Sequence, residues 1–169
     1  EPVVKVSDED YEKVKQEVEE YVVTAALEQN YDQIFERIID SKEKPIEINA
    51  QNREFNRKIL EYGKFDILLD IESSSENKNK PKQLDSGLNH VLANIATKNN
   101  ITFGIDLEEI KKKEKKEKAV ILGRIAQNIR ICRKAKTKIR LLNYKDKKNA
   151  FSLLISLGAS TQQAKEAIT

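Results

Sequence analysis

The chain has 169 residues, with 31 Lys and Arg against 28 Asp and Glu, 35% charged and 38% hydrophobic residues, no Trp, no Met and one His. That length suits one domain over residues 1–169, and apolar residues recurring in short periodic runs argue against a disordered chain. No stretch approaches the ~18–20 apolar residues of a membrane span, and Glu1-Pro2-Val3-Val4-Lys5 lacks the features of a signal peptide, so the cytoplasm is the expected location and no membrane partner is expected.

Strand-like runs alternate with helical patterns, the layout of βαβ units around a parallel sheet. The expected strands are Val3–Val6, Tyr21–Leu27, Pro45–Ile48, Phe65–Leu69, Ile101–Ile105 and Lys138–Leu142. A first helix runs from a cap at Ser7-Asp8 to Glu19, and a second spans Asp32 to Asp40. A third, Arg53 to Tyr62, buries Phe55 and Ile59. Asp85 or Ser86 is expected to cap a fourth, whose Leu88, Val91, Leu92 and Ile95 fall at i, i+3, i+4, i+7. A long helix over Lys115 to Lys136 places Ile121, Leu122, Ile125, Ile129 and Cys132 on its buried face. Helices at Lys147–Leu157 and Thr161–Ile168 follow, with Gly158 suited to the turn between them. Residues 73–83, rich in Ser, Asn and Lys, form a long loop after a strand, where α/β proteins usually place their sites. Six strands with intervening helices suggest an incomplete α/β barrel, and the start at Val3 suggests that earlier strands precede residue 1.

Charge is divided unevenly along the chain. Residues 1–110 carry 14 basic and 24 acidic side chains, residues 111–148 carry 16 basic and 3 acidic, and the rest is balanced. A cationic segment of this kind attracts a polyanion through counterion release. Arg130, Arg133 and Lys134 lie off the Ile121, Ile125, Ile129 stripe, so core and basic surface can share one helix. The eight residues from Lys111 to Lys118 read equally well as a solvated helix start.

Catalytic patterns are sparse. Cys132 has no second Cys for a disulfide or a thiolate zinc site, His90 is the one histidine, and no GxSxG, HExxH or Gly-rich phosphate loop is present. No catalytic residue, resident metal or cofactor is assigned. Arg57 can hold a phosphate or pair with Glu61 one turn later. His90, off the central apolar stripe, reads first as structural and second as an RNA contact. Asp85 reads as a helix cap, and Lys78, Lys80 and Lys82 as a solvated tether, or as phosphate contacts if the loop faces RNA. The aromatic residues form no RNP-type stacking motif, so phosphate-positioning contacts are favoured over base-specific reading.

Two stretches resemble a known family. Leu84-Asp85-Ser86-Gly87-Leu88-Asn89-His90-Val91-Leu92-Ala93 is similar to the D-S-G-[IL]-[DN]-H-V-L-A segment of the archaeal and eukaryotic thirty-kilodalton protein subunit of ribonuclease P. Asn56-Arg57-Lys58-Ile59-Leu60-Glu61, followed by Phe65-Asp66-Ile67-Leu68, resembles its N-R-x-x-x-E and v-D-[IV]-L stretch, and Leu154–Gly158 with Gln163-Ala164-Lys165 resembles its C-terminal helices. The likeness covers roughly Asn52 to Thr169. It departs at Asn49-Ala50-Gln51, where the family has a glycine pair nearby, and at Leu142-Asn143-Tyr144, where it has Ser-Ser-Ala; the Asp32–Asp40 helix looks like an insertion. The resemblance implies a TIM-like barrel related to the polymerase and histidinol phosphatase superfamily, lacking that superfamily's metal cluster. It also implies an RNA-binding subunit that supports 5′ leader removal from precursor tRNA, with chemistry and magnesium belonging to the partner RNA. A small ferredoxin-like protein subunit is the implied second partner. Arg57, Lys82, His90, Lys98, Arg130, Arg133, Lys134 and Lys165 are the RNA-contact candidates, Lys98 and Lys165 on resemblance alone. The rival reading is a barrel phosphoesterase using Asp66, Asp70 and Asp106 near strand ends to hold magnesium.

Overall fold

The computed structural model describes residues 45–169. Four strands, β1 (Glu47–Asn49), β2 (Ile67–Leu69), β3 (Thr102–Asp106) and β4 (Ile139–Leu142), form a parallel sheet in the order β1-β2-β3-β4. Register runs Ile48 beside Leu68, Leu68 beside Phe103, and Phe103 beside Ile139. The helices are α1 (Arg53–Tyr62), α2 (His90–Lys98), α3 (Leu107–Lys111), α4 (Lys115–Ala135), α5 (Lys147–Ser156) and α6 (Thr161–Ala167). The sequence places all four of these strands within two residues and misses the short α3 and a single 3-10 turn at Ile71–Ser73. The expected strands Val3–Val6 and Tyr21–Leu27, and the helices from Ser7-Asp8 to Glu19 and over Asp32–Asp40, lie outside the described residues.

Local chemistry sets each boundary. The Asn52 side chain accepts from Phe55 N–H at 2.8 Å to start α1, and Gly63, at φ 75°, ends it in the left-handed region that a Cβ disfavours. Lys136, at φ 58°, closes α4 in the same way. Ser160 and Gln163 form a reciprocal capping box on α6. In β3, a Cβ at Gly104 would stand 2.5 Å from Leu69 Cδ2, so the glycine lets the large apolar side chains of β2 lie across the sheet.

One core links sheet and helices: Leu68, Phe103, Ile105 and Leu141 from the strands meet Ile59, Leu60, Leu92, Ile125, Ile129 and Leu154 from the helices. α2 packs between α1 and α4, and α6 packs on β4 and α5. Polar ties fix these packings. Thr97 Oγ1 lies 2.8 Å from Thr137 Oγ1 and donates to Ala135 O at 3.0 Å, joining α2 to the end of α4.

The start of α2 differs from the sequence expectation. Asn89 caps the helix by accepting from Leu92 N–H at 2.9 Å, and neither Asp85 nor Ser86 does so. Gly87 is the reason: its φ of 77° breaks any helix begun at Ser86, and Asp85 Oδ1 accepts from its N–H at 3.2 Å. The buried face consequently shifts to Leu92, Ala93 and Ala96, leaving Val91 54% exposed.

Candidate nucleic-acid interface

Residues 74–89 are not a loose tether. Arg124, buried in the middle of α4, donates to the main-chain carbonyls of Glu72 at 2.9 Å and Asn77 at 3.2 Å, and to Asn79 Oδ1 at 3.3 Å. Asn128, one turn on, donates to Ser86 O at 3.3 Å. Asp85 ties the loop to itself and to α1: its carboxylate accepts from Lys78 N–H at 3.0 Å and from Gly87 N–H, and pairs with Arg53. Burial alone would raise the Asp85 pKa, but these donors outweigh it and hold the carboxyl below its usual range.

This anchoring opens a cleft of about 490 Å³ between α1, the loop and α2. Arg53 and Arg57 from α1 and Lys78 and Lys80 from the loop supply cations; Leu84, Val91 and Leu92 supply apolar surface. Gln83 and Gln127 add amides. Arg53 lies in the first turn of α1, where the positive end of the helix dipole opposes a cation by about 0.3–1 kcal/mol. Its pairing with Asp85 offsets that cost, and one turn on Arg57 Nε donates to Glu61 at 2.9 Å. The cleft follows β1 and β2, on the side of the sheet where parallel α/β folds bind ligands.

The sequence candidates are distributed unevenly around it. Arg57 lines the cleft while paired with Glu61. Lys82 is exposed in the same loop but outside the lining, as is His90, the first residue of α2. Lys98 is exposed in the last turn of that helix, and Lys165 in the last turn of α6. On α4, Arg130 and Lys134 are exposed, with Arg130 Nε donating to Ala126 O. Arg133 is also exposed but is engaged internally: it donates to Gln163 Oε1 at 3.1 Å and to Gly158 O, holding α6 in place.

Arg53, Gln127 and Arg124 were not singled out by sequence as functional or structural keys, and Val91 was expected on the buried face of α2 instead of in a cleft. Arg124 had a visible signal, a charge one position from Ile125 and three from Ile121, inside the buried stripe.

The three aspartates of the rival reading do not form one site. Asp66 precedes β2, at the opposite end of the sheet from Asp70 and Asp106, and accepts from Ile46 N–H at 2.8 Å. Asp70 accepts from Asp106 N–H at 3.1 Å, and burial pushes its carboxyl up to about 6. Asp106 caps α3 and accepts from Asn143 Nδ2 at 3.0 Å. Among the described residues, no group of three His, Cys, Asp or Glu is placed to hold a metal ion. Burial raises the Cys132 thiol to about 12, leaving it unreactive. No helix among the described residues is long and apolar enough to cross a membrane.

No protein-family model matches the chain, and no match is found among curated proteins. Among solved structures, the chain is similar to one in archaeal ribonuclease P with mature tRNA, determined by cryo-electron microscopy, with a TM-score of 0.60 and 21% identity. The match covers 72% of this chain and 52% of that one, so this chain spans about half the length of the chain it matches. The shared property is an α/β fold with parallel strands alternating with helices.

Proposed function

We propose that the chain is an RNA-binding protein component of ribonuclease P, of the thirty-kilodalton subunit type, supporting the catalytic RNA in 5′ leader removal from precursor tRNA. One observation carries this reading beyond fold likeness: the two stretches that resemble that subunit come from different parts of the chain and meet at a single cationic cleft, the first through Arg57 and the second through Leu84–Asn89, Val91 and Leu92. Phosphate contacts at Arg57, Lys78 and Lys80 position RNA there, and Arg130, Lys134, Lys82, His90, Lys98 and Lys165 extend the exposed polar surface.

The strand order β1-β2-β3-β4 is the order in which a (β/α) barrel winds, which supports an incomplete barrel related to the polymerase and histidinol phosphatase superfamily. In this reading magnesium belongs to the partner RNA, the chain is non-catalytic alone, and a small ferredoxin-like protein is its protein partner in a cytoplasmic particle.

The test is reconstitution. Added to an archaeal ribonuclease P RNA with the other protein subunits, the chain should raise the rate of precursor-tRNA processing, and it should co-elute with the small ferredoxin-like subunit. The chain alone should not hydrolyse phosphoesters in magnesium or manganese. Turnover by the chain alone, lost in Asp70→Ala or Asp106→Ala, would overturn the proposal.

A further inference from the structure

We infer that the cleft receives one unstacked nucleotide of a single-stranded RNA segment, with its base on an aliphatic face and its flanking phosphates on the surrounding cations. The inference rests on the RNA-binding reading and specifies what that site holds.

Phosphate positioning alone needs only exposed cations, yet this cleft also presents carbon. Leu84 and Val91 are two of the three large apolar side chains exposed among the described residues, at 36% and 54%, and both face the same cleft. Leu84 is set by α4, since a Cβ on Gly123 would lie 3.2 Å from Leu84 Cδ1. Val91 is set by the Asn89 cap, which begins the helix late and turns this residue away from the core. An unpaired base needs an apolar surface for its face and polar groups for its edge. The side-chain amides of Gln83 and Gln127 line the cleft and make no hydrogen bond among the described residues, so both can meet a base edge. Cations reach the cleft from two separate elements, Arg53 and Arg57 from α1, each also paired with a carboxylate, and Lys78 and Lys80 from the loop. No ion pair involves Lys78 or Lys80 among the described residues. The volume of about 490 Å³ lies in the range of small-ligand pockets and accommodates a nucleotide. No aromatic ring lines the cleft, so the contact is aliphatic and discrimination among bases should be weak.

The experiment uses the full chain, low salt, and three fluorescein-labelled RNAs of about ten nucleotides: a single strand, the same strand with abasic ribose at its central positions, and a blunt duplex. The single strand should bind about fivefold or more tightly than the abasic strand, and more tightly than the duplex. Val91→Ser should remove most of the difference between the first two while leaving abasic binding unchanged. Lys78→Ala with Lys80→Ala should weaken both single strands equally. Circular dichroism checks folding of each variant. Equal binding of base-bearing and abasic strands by the wild-type chain would overturn the inference and leave the RNA-binding reading standing. Failure to bind any of the three RNAs would overturn both. A Val91→Ser variant that is folded and keeps the full difference would place the base elsewhere and overturn the assignment to this cleft.

Discussion

Arg124 donates to the main-chain carbonyl of Glu72 at 2.9 Å, while the carboxyl of that same residue, 1% exposed, has no partner for Oε1 among the described residues. The guanidinium therefore anchors the backbone of the segment without neutralising the acid beside it. Burial pushes the Glu72 carboxyl up to about 8, and the charge of Asp70 adds to the effect, against smaller opposing contributions from its own N–H and Arg124.

Stability should accordingly fall as the pH rises. Below the ordinary Glu value of 4.5 both folded and unfolded chains hold this proton; above it the unfolded chain releases the proton while the folded chain keeps it until about 8. Asp70 acts in the same sense between 3.8 and about 6. Urea denaturation should show a higher midpoint at pH 5 than at pH 8. In Glu72→Gln, which is neutral at all pH values and nearly isosteric, most of the decline should vanish and the midpoint at pH 8 should rise. A wild-type midpoint that does not change between pH 5 and 8 would show that Glu72 is solvated.

Arg124→Ala should be among the most damaging single changes. It leaves the carbonyls of Glu72 and Asn77 without their guanidinium donor and opens space behind the loop, at a cost of about 3 kcal/mol. Limited proteolysis should then cut within residues 74–89 well before global unfolding. Resistance equal to that of the wild-type chain would mean that the loop holds itself.

Gly87→Ala is expected to destabilise by about 2 kcal/mol or more. A Cβ there would stand 2.5 Å from Ile71 O, a backbone atom that cannot swing aside, and the φ of 77° is itself unfavourable for Ala. Thermal unfolding measures the loss, and a Tm within a degree or two of the wild type would refute it.

On α4, salt dependence should separate two kinds of arginine. Arg130→Ala with Lys134→Ala should change stability by about 0.5 kcal/mol or less, yet make the slope of log K against log salt for RNA binding shallower by roughly 1.5–2. Arg133→Ala should lower stability by about 1 kcal/mol, because it releases Gly158 O and Gln163 at the start of α6. If the double variant keeps its slope while folded, the basic face of α4 lies outside the RNA contact.

Periodicity and end signals made most of the described fold legible. The Ile121, Ile125, Ile129, Cys132 stripe is buried as expected while Leu122 is only half-buried, and Gly158, at φ 97°, turns the chain between α5 and α6. The start of α2 was not legible, because Asp85, Ser86 and Asn89 are all good caps and the choice among them depends on the backbone at Gly87. The cleft was hidden for two reasons. Arg53 and Asp85, 32 positions apart, meet only after folding. Segment charge also misled: thirteen of the 24 acidic residues in the first 110 fall within residues 1–44, so an acidic total concealed a cationic site at Arg53, Arg57, Lys78 and Lys80. Lys98 and Lys165 carried no local pattern, and the structure gathers neither into the cleft.

α4 grips the loop chiefly by main-chain oxygens, those of Glu72, Asn77 and Ser86, with Asn79 the one side-chain acceptor. Every residue type carries such an oxygen, so attachment places little demand on what Lys78, Lys80 and Lys82 are. Those three positions can be exchanged, singly or together, while the loop keeps its seat. Relatives of this chain can thus retune what the loop meets without redesigning how it is held, and the lysines themselves can be replaced with probes or crosslinkers that report on a bound RNA in an otherwise native molecule.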